Sequence, residues 1–248
     1  ASRIAANAGP SVHMASLDVR EKAIKIAAYM LEAAEEDIEL EDGKAFVRGV
    51  PEMSKTLGEI AHAVAGSPGF AMPPGFEPGL EATHYFSPSQ SAYCNGTHVV
   101  EVEVDVETGH VQILRYVIAH DSGNLINPMI VDGQVQGGLA HGIGNALFEE
   151  QFFDENANPL TTTFAEYLIP GAGDVVDAET IHVVSPSPLN PLGVKGAGEG
   201  GTIPAAASII AAVENALKPF DANLMNVPVT PSRIVDVVRA GRSPLAAE

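Results

Sequence analysis

Gly193, Gly196, Gly198, Gly200 and Gly201 crowd the nine residues "GVKGAGEGG" around a single acid, Glu199. A carboxylate in such a loop is either a solvated charge or a proton acceptor held where backbone must approach something closely, because each glycine costs conformational entropy on ordering. Residues 196–201 also fit the spacing G-x-G-x-x-G. The dinucleotide reading fails on context, since "SPSPLNPLGVK" before the glycines is proline-rich rather than a strand and a carboxylate within the loop repels pyrophosphate. Lys195 precedes the glycines instead of closing them, so no G-x-x-x-x-G-K-[ST] phosphate loop is present. A second glycine cluster, Gly133, Gly137, Gly138, Gly142 and Gly144, lies in "MIVDGQVQGGLAHGIGNALFEE". In a helix each of these weakens it by up to about 1 kcal/mol relative to alanine. Tight packing on a sheet explains them simply, and a cofactor lying over the helix is the sharper reading. The eight histidines, His120, His141 and His182 among them, show no paired helical spacing suited to zinc, and most read as surface or core-edge residues.

Elements able to position these groups can be traced along the chain. "SLDVREKAIKIAAYMLEAAEE" has helical apolar spacing over residues 16–36, and "DIELEDGKAFVRG" reads as a hairpin turning at Asp42-Gly43. Thr56 and Glu59 stand at capping-box spacing before a short helix that stops at Gly66. The proline- and glycine-dense residues 67–80 form an aperiodic connection, dividing an N-terminal subdomain, 1–66, from a C-terminal one, 81–248, that holds the loop 191–201. Val100, Val102, Val104 and Val106 alternate with acids and turn through "ETGH" into a second strand, "VQILRYVIA". Asn127 and Pro128 supply an N-cap and first position for a helix running to Glu150. Strand-like pieces at 151–169 and 179–185, a helix over 202–217 and a last helix capped by Thr230 complete the chain. Helices mixed with antiparallel hairpins, without a regular βαβ rhythm, argue an α+β fold.

Composition narrows the function. Thirteen Lys and Arg against 32 Asp and Glu give a formal charge of −19, which repels nucleic acid and anionic membrane surfaces. The lone Cys94 forms no internal disulfide and supplies no iron–sulfur cluster, and the longest apolar runs are too short to span a bilayer. A reducing cytoplasm is the expected setting. The opening "ASRIAANAGP" lacks an initiator Met, as in a processed product, a split subunit or a fragment.

Three stretches taken together, "DSGNLINPMIVDGQVQGGLAHGIGNALFEE", "PSPLNPLGVKGAGEGGTIPAAASIIAAVENAL" and "NGTHVVEVEVDVETG", resemble the C-terminal molybdenum-cofactor domain of the xanthine oxidase and aldehyde oxidase family of molybdenum hydroxylases. The resemblance includes the large subunits of carbon monoxide dehydrogenase type. It extends to "SRIAANAGPSV", which is similar to the family's segment beside the pterin, and to "VPVTPSRIVDVVRA", its closing helix. It implies that Glu199 is the general base acting on a hydroxyl carried by molybdenum, with the substrate carbon oxidised by two electrons. It further implies that Gln134 hydrogen-bonds the pterin. Ser2 through Asn7, including Ala5 and Ala6, would line the cofactor with Ala6 near the metal, although Ile4 and Ala5 depart from the family's common "GSRST" form. Gly137, Gly138, Gly196, Ala197 and Gly198 are implied as cofactor neighbours, and Lys195 is either another neighbour or a surface charge. Expected cofactors are molybdopterin with molybdenum, in the cytosine dinucleotide form, with iron–sulfur clusters and FAD on partner subunits. No protein side chain is expected to ligate the metal. The family's remaining active-site parts lie upstream of anything resembling this chain, so the chain implies half a site, completed by an upstream half. A non-catalytic structural or assembly subunit is the alternative.

Overall fold

The computed structural model describes residues 2–66, 72 and 74–241, which fall into two compact units, the described residues of 7–88 and those of 2–6 with 89–241. Within the first, α1 (Gly9–Leu31) comes after a π-helical turn at Ile4–Ala8. It starts earlier than the expected residue 16 because Pro10 sits in the first turn, where a missing N–H costs nothing. It stops before the expected Glu36 because Glu32 turns left-handed, φ 53°, and its N–H caps the carbonyls of Ala28 and Tyr29. One stripe of α1, Ala23, Ile26 and Ala27, is fully buried against Ile38, Ala45, Ile60 and Val64. These come from an antiparallel sheet of β1 (Ile38–Glu41), β2 (Lys44–Val47) and β3 (Val50–Thr56), and from α2 (Leu57–Ala63) with the residue just after it. The capping box is formed: Thr56 Oγ1 accepts from the Glu59 N–H at 3.2 Å, and Glu59 Oε2 accepts from the Thr56 N–H at 2.8 Å.

The unit boundary lies at 88/89 rather than in the proline- and glycine-rich stretch. Part of that stretch, residues 67–71 and 73, is outside the described residues. Residues 74–88 belong to the α1 unit for a physical reason: Phe76 and Leu80 pack on that core, the Gly79 N–H donates to the Val64 carbonyl, and the Phe86 N–H donates to Ser11 Oγ.

The second unit is built on β4 (Asn95–Val104) and β5 (Val111–Asp121), paired antiparallel, with β6 (Glu179–His182) alongside β5. The β5–β6 pairing is parallel, so the sheet is mixed and not a stack of hairpins only. Alternation holds in β4, where His98, Val100, Val102 and Val104 are half-buried while their neighbours are exposed. On the sheet's inner face Tyr116 and Ile118 meet α3 (Pro128–Ile143), α4 (Ala205–Ala216) and α5 (Pro231–Gly241) through Val135, Leu139, Ile143, Ile209, Val213, Ile234 and Val238. Asn127 caps α3 by accepting the Ile130 N–H, as its sequence suggests. The α-helix ends at Ile143 rather than Glu150, because the Glu149 N–H reaches back five residues to the Gly144 carbonyl and closes a π-turn, Gly144–Phe148.

Residues 151–169 form no strand among the described residues beyond a bridge between Phe153 and Pro159. Some of their backbone N–H groups go instead to side-chain acceptors, Phe152 to Thr161 Oγ1 and Thr162 and Thr163 to Glu166 Oε2, and others close local turns, such as Tyr167 to the Thr163 carbonyl. No helix among the described residues is long and apolar enough to cross a membrane.

Candidate active site

The loop before α4 is fastened residue by residue. Asn190 brackets Val194, taking its N–H at 3.1 Å and donating to its carbonyl at 2.8 Å. The Lys195 N–H donates to the Ser122 carbonyl and the Gly196 N–H to the Ala92 carbonyl. After the acid, the Thr202 and Ile203 N–H groups both donate to the Glu199 carbonyl, at 3.0 and 3.1 Å, turning the chain into α4. The glycines answer to packing. A side chain at Gly201 would strike the α3 backbone at Val135, and one at Gly138 would lie 2.8 Å from both Gly201 C and Thr202 N. Helix α3 and the loop therefore meet backbone to backbone, an approach that only glycine permits. Gly137, by contrast, faces open space.

This fastening leaves the Glu199 side chain exposed at the rim of a cavity of about 850 Å³. Ser2 Oγ donates to Glu199 Oε2 at 2.8 Å, joining residues 197 positions apart. Gln134 lines the same cavity from the first half of α3 and reaches Gly198, where an added Cβ would lie 3.4 Å from its Oε1. Its amide makes no hydrogen bond among the described residues, so both donor and acceptor are available. Polar groups, Ser122, Asn124 and Asn127, share the walls with apolar Ile4, Ile126, Ile130 and Val131.

Most of the residues singled out in the sequence converge here. Ser2, Ala5, Gln134, Lys195, Ala197, Gly198 and Glu199 line the cavity. Gly196 is buried behind it against Ser2, and Ala6 is buried without lining it. Asn7 lies in the other compact unit, its carbonyl accepting from Ser11 Oγ. Gly138 touches the loop and not the cavity, which is the packing reading of the glycine helix.

Lys195 is no surface charge. Its Nζ pairs with Asp121 Oδ2 at 2.7 Å, each side chain 12% exposed. Burial pushes the Asp121 carboxyl up, but the Lys195 hydrogen bond and the N–H groups of Gly123 and Ser185 outweigh it and hold the group below its ordinary range. His120 is likewise neither surface nor core-edge. It is 1% exposed, bonded through Nε2 to Ser122 Oγ, and its ring backs directly on Gly200. Burial first, and then His182 nearby, lower its pKa. Burial raises the Cys94 thiol, with Glu199 and Asp121 nearby adding to the shift, so it stays protonated at neutral pH. Tyr116, pushed up to about 12 by burial, bonds His98 Nδ1 at 2.9 Å. Ser122, Asp121 and Asn190 escaped the sequence reading, and the burial of His120 was not foreseen there, because nothing in their local spacing separates them from ordinary strand and loop residues. No three of His, Cys, Asp and Glu among the described residues are placed to hold a metal ion.

Comparison with known proteins gives a consistent picture. The family model described as molybdopterin cofactor-binding domain matches residues 1–176. The nicotine 6-hydroxylase large subunit of Paenarthrobacter nicotinovorans is 42% identical over 234 residues, covering 94% of this chain and 29% of that protein. The carbon monoxide dehydrogenase large chain of Hydrogenophaga pseudoflava is 36% identical, again over 94% of this chain and 28% of its own length. The crystal structure of quinoline 2-oxidoreductase from Pseudomonas putida 86 superposes with a TM-score of 0.81 at 41% identity, over 96% of this chain and 30% of that one. The chain thus spans under a third of the length of the relatives it matches.

Proposed function

The chain belongs to the molybdopterin cofactor-binding domain family, and we propose that it forms the Glu199-bearing wall of the cofactor cleft in a molybdenum hydroxylase-type oxidoreductase. The observation that carries this is the meeting of Ser2, Gln134 and Glu199 around one cavity from distant parts of the chain. The residues present suit the cofactor. Gln134 offers an uncommitted amide to a pterin edge, the apolar wall of Ile126, Ile130 and Val131 suits a flat ring, and Gly198 allows close approach. Gln134, Ser2, Ala5, Ala197 and Gly198 would hold the group. We assign it as molybdopterin in the cytosine dinucleotide form. When bound, it supplies a two-electron acceptor for oxidation of the substrate carbon.

The chain's own contribution is proton handling and placement. Glu199 Oε2 is held by the Ser2 hydroxyl, which leaves Oε1, without a hydrogen bond among the described residues, to take the proton of the water-derived nucleophile. The substrate class is an aldehyde or N-heterocycle. The relatives named for nicotine and quinoline favour the heterocycle. An upstream half of the subunit completes the cleft, and separate iron–sulfur and FAD subunits carry electrons away, since Cys94 alone ligates no cluster.

Glu199→Gln in the assembled enzyme tests the reading. Size and hydrogen bonding are kept while the proton acceptor is lost, so molybdenum content should hold and single-turnover reduction of the metal by substrate should fall by about 10²–10⁴-fold. Glu199→Asp withdraws the carboxylate by one methylene, and a misplacement near 1 Å costs on the order of 10²-fold. A Gln variant with full metal and the wild-type rate would remove Glu199 from the mechanism.

A further inference from the structure

The cavity is only one side of the Glu199 loop. On its other side, Gly200 and Gly201 are wedged between two fixed surfaces. Gly201 rests on the α3 backbone at Val135, and Gly200 rests on the His120 imidazole, with no room for a Cβ at either position. The ring is itself pinned. Ser122 Oγ bonds its Nε2, and both residues are deeply buried, at 1% and 3% exposure. Ser122 also reaches the loop along a second route, because its carbonyl accepts the Lys195 N–H at 2.8 Å. Two residues near the C-terminal end of β5 therefore touch the loop on both flanks of its acid, at Gly200 and at Lys195.

From this arrangement we infer that His120 and Ser122 are positioning residues for Glu199, setting where its carboxylate stands in the cavity by fixing the backbone of Gly200. The inference rests on the reading of Glu199 as proton acceptor. The Glu199 side chain is exposed, and among the described residues the Ser2 hydroxyl is its side-chain partner, so its placement depends on the backbone that carries it. Its Cα is placed by the turn, and the turn is placed by what lies beneath Gly200. Interiors pack at crystal-like density, so a ring removed from beneath a backbone atom lets that backbone sink or rotate by a fraction of its size. Displacement on that scale matters for a proton acceptor, where an error near 1 Å costs on the order of 10²-fold. The imidazole fills this role as a neutral ring, its pKa lowered by burial and by the neighbouring His182. Phenylalanine would keep a flat, somewhat larger ring beneath Gly200 without accepting or donating to Ser122.

The test is a double-mutant cycle in the assembled enzyme, read by single-turnover reduction of the metal, with substrate KM and molybdenum content measured beside it. His120→Ala should lower the rate on the order of 10²-fold with KM and metal unchanged. Ser122→Ala, which frees the ring without removing it, should lower the rate by less, and His120→Phe, which restores a ring in that place, should recover part of the loss seen with Ala. In a Glu199→Gln background the same His120 and Ser122 changes should cost nothing further, because there is no longer a proton acceptor to misplace. Equal losses in both backgrounds would make the pair ordinary packing and overturn the inference, as would wild-type rates in His120→Ala or loss of cofactor in both His120→Ala and Ser122→Ala. Full activity of Glu199→Gln alone is a different result, which removes the reading of Glu199 itself.

Discussion

Lys195→Met isolates the charge pair that ties the Glu199 loop to the end of β5. The side chain stays unbranched and one atom shorter but loses its charge, leaving Asp121 almost buried without its cation. At 2.7 Å the direct attraction is about 6 kcal/mol for an effective dielectric near 20. Much of that offsets the desolvation of both groups, and removing one partner of a buried pair costs about 3–5 kcal/mol. Asp121 keeps two backbone donors, the Gly123 N–H at 2.8 Å and the Ser185 N–H at 3.2 Å, so the lower end, about 3 kcal/mol, is expected. For a chain of this size that is a fall in Tm of roughly 6–12 °C. The pH dependence has a definite sign. The folded Asp121 pKa lies below its unfolded value near 3.9, so the pair's stabilisation is present above that value and is lost as pH falls through the folded pKa. The gap between wild type and variant should be full at pH 7 and narrow below about pH 4. Urea denaturation followed by circular dichroism at pH 7, 5 and 3 measures it, with Asp121→Asn and the double variant alongside. The double variant should be more stable than Lys195→Met alone, because it buries no orphaned charge. A gap that is the same at pH 3 and pH 7, or a double variant showing the sum of the single losses, would refute the reasoning.

Packing and the half-open cleft set the other outcomes. Gly138→Ala should destabilise the protein by about 1–3 kcal/mol, since its Cβ meets loop backbone at 2.8 Å, whereas Gly137→Ala, which meets nothing within 4 Å, should be neutral or gain up to about 1 kcal/mol. Urea midpoints of the two variants compare them directly, and the opposite order would show that α3 does not press on the loop. Ser2→Ala in the assembled enzyme should slow single-turnover reduction per bound molybdenum, because it frees Glu199 Oε2, with molybdenum content measured beside it since Ser2 also lines the cavity. An unchanged rate would make that hydrogen bond incidental. Expressed without an upstream half, the chain should hold little molybdenum by elemental analysis and show no hydroxylase activity; a loaded, active isolated chain would end the half-site reading.

Local pattern carried a good share of this protein's structure. The valine alternation of β4, the Asn127-Pro128 start of α3 and the Thr56–Glu59 box are written in residues a few positions apart, and local periodicity and capping chemistry suffice for them. The ordered motifs around Glu199 and Gln134 likewise pointed to the molybdopterin cofactor-binding family from sequence. Where the chain left its patterns, a tertiary contact was responsible. Phe76 and Leu80 belong to the α1 unit because they pack on its core, and residues 151–169 stay irregular because side-chain acceptors and local turns satisfy their backbone in place of a neighbouring strand. The site itself was decided at that level. Ser2 meets Glu199 across 197 positions, His120 slides beneath Gly200, and Lys195 finds Asp121 across 74 positions. None of these pairs shares a helix face or a strand register. Their proximity exists only after the sheet, α3 and the loop have closed on one another, which is why glycines that looked like openings for a cofactor proved in part to be the places where backbones touch.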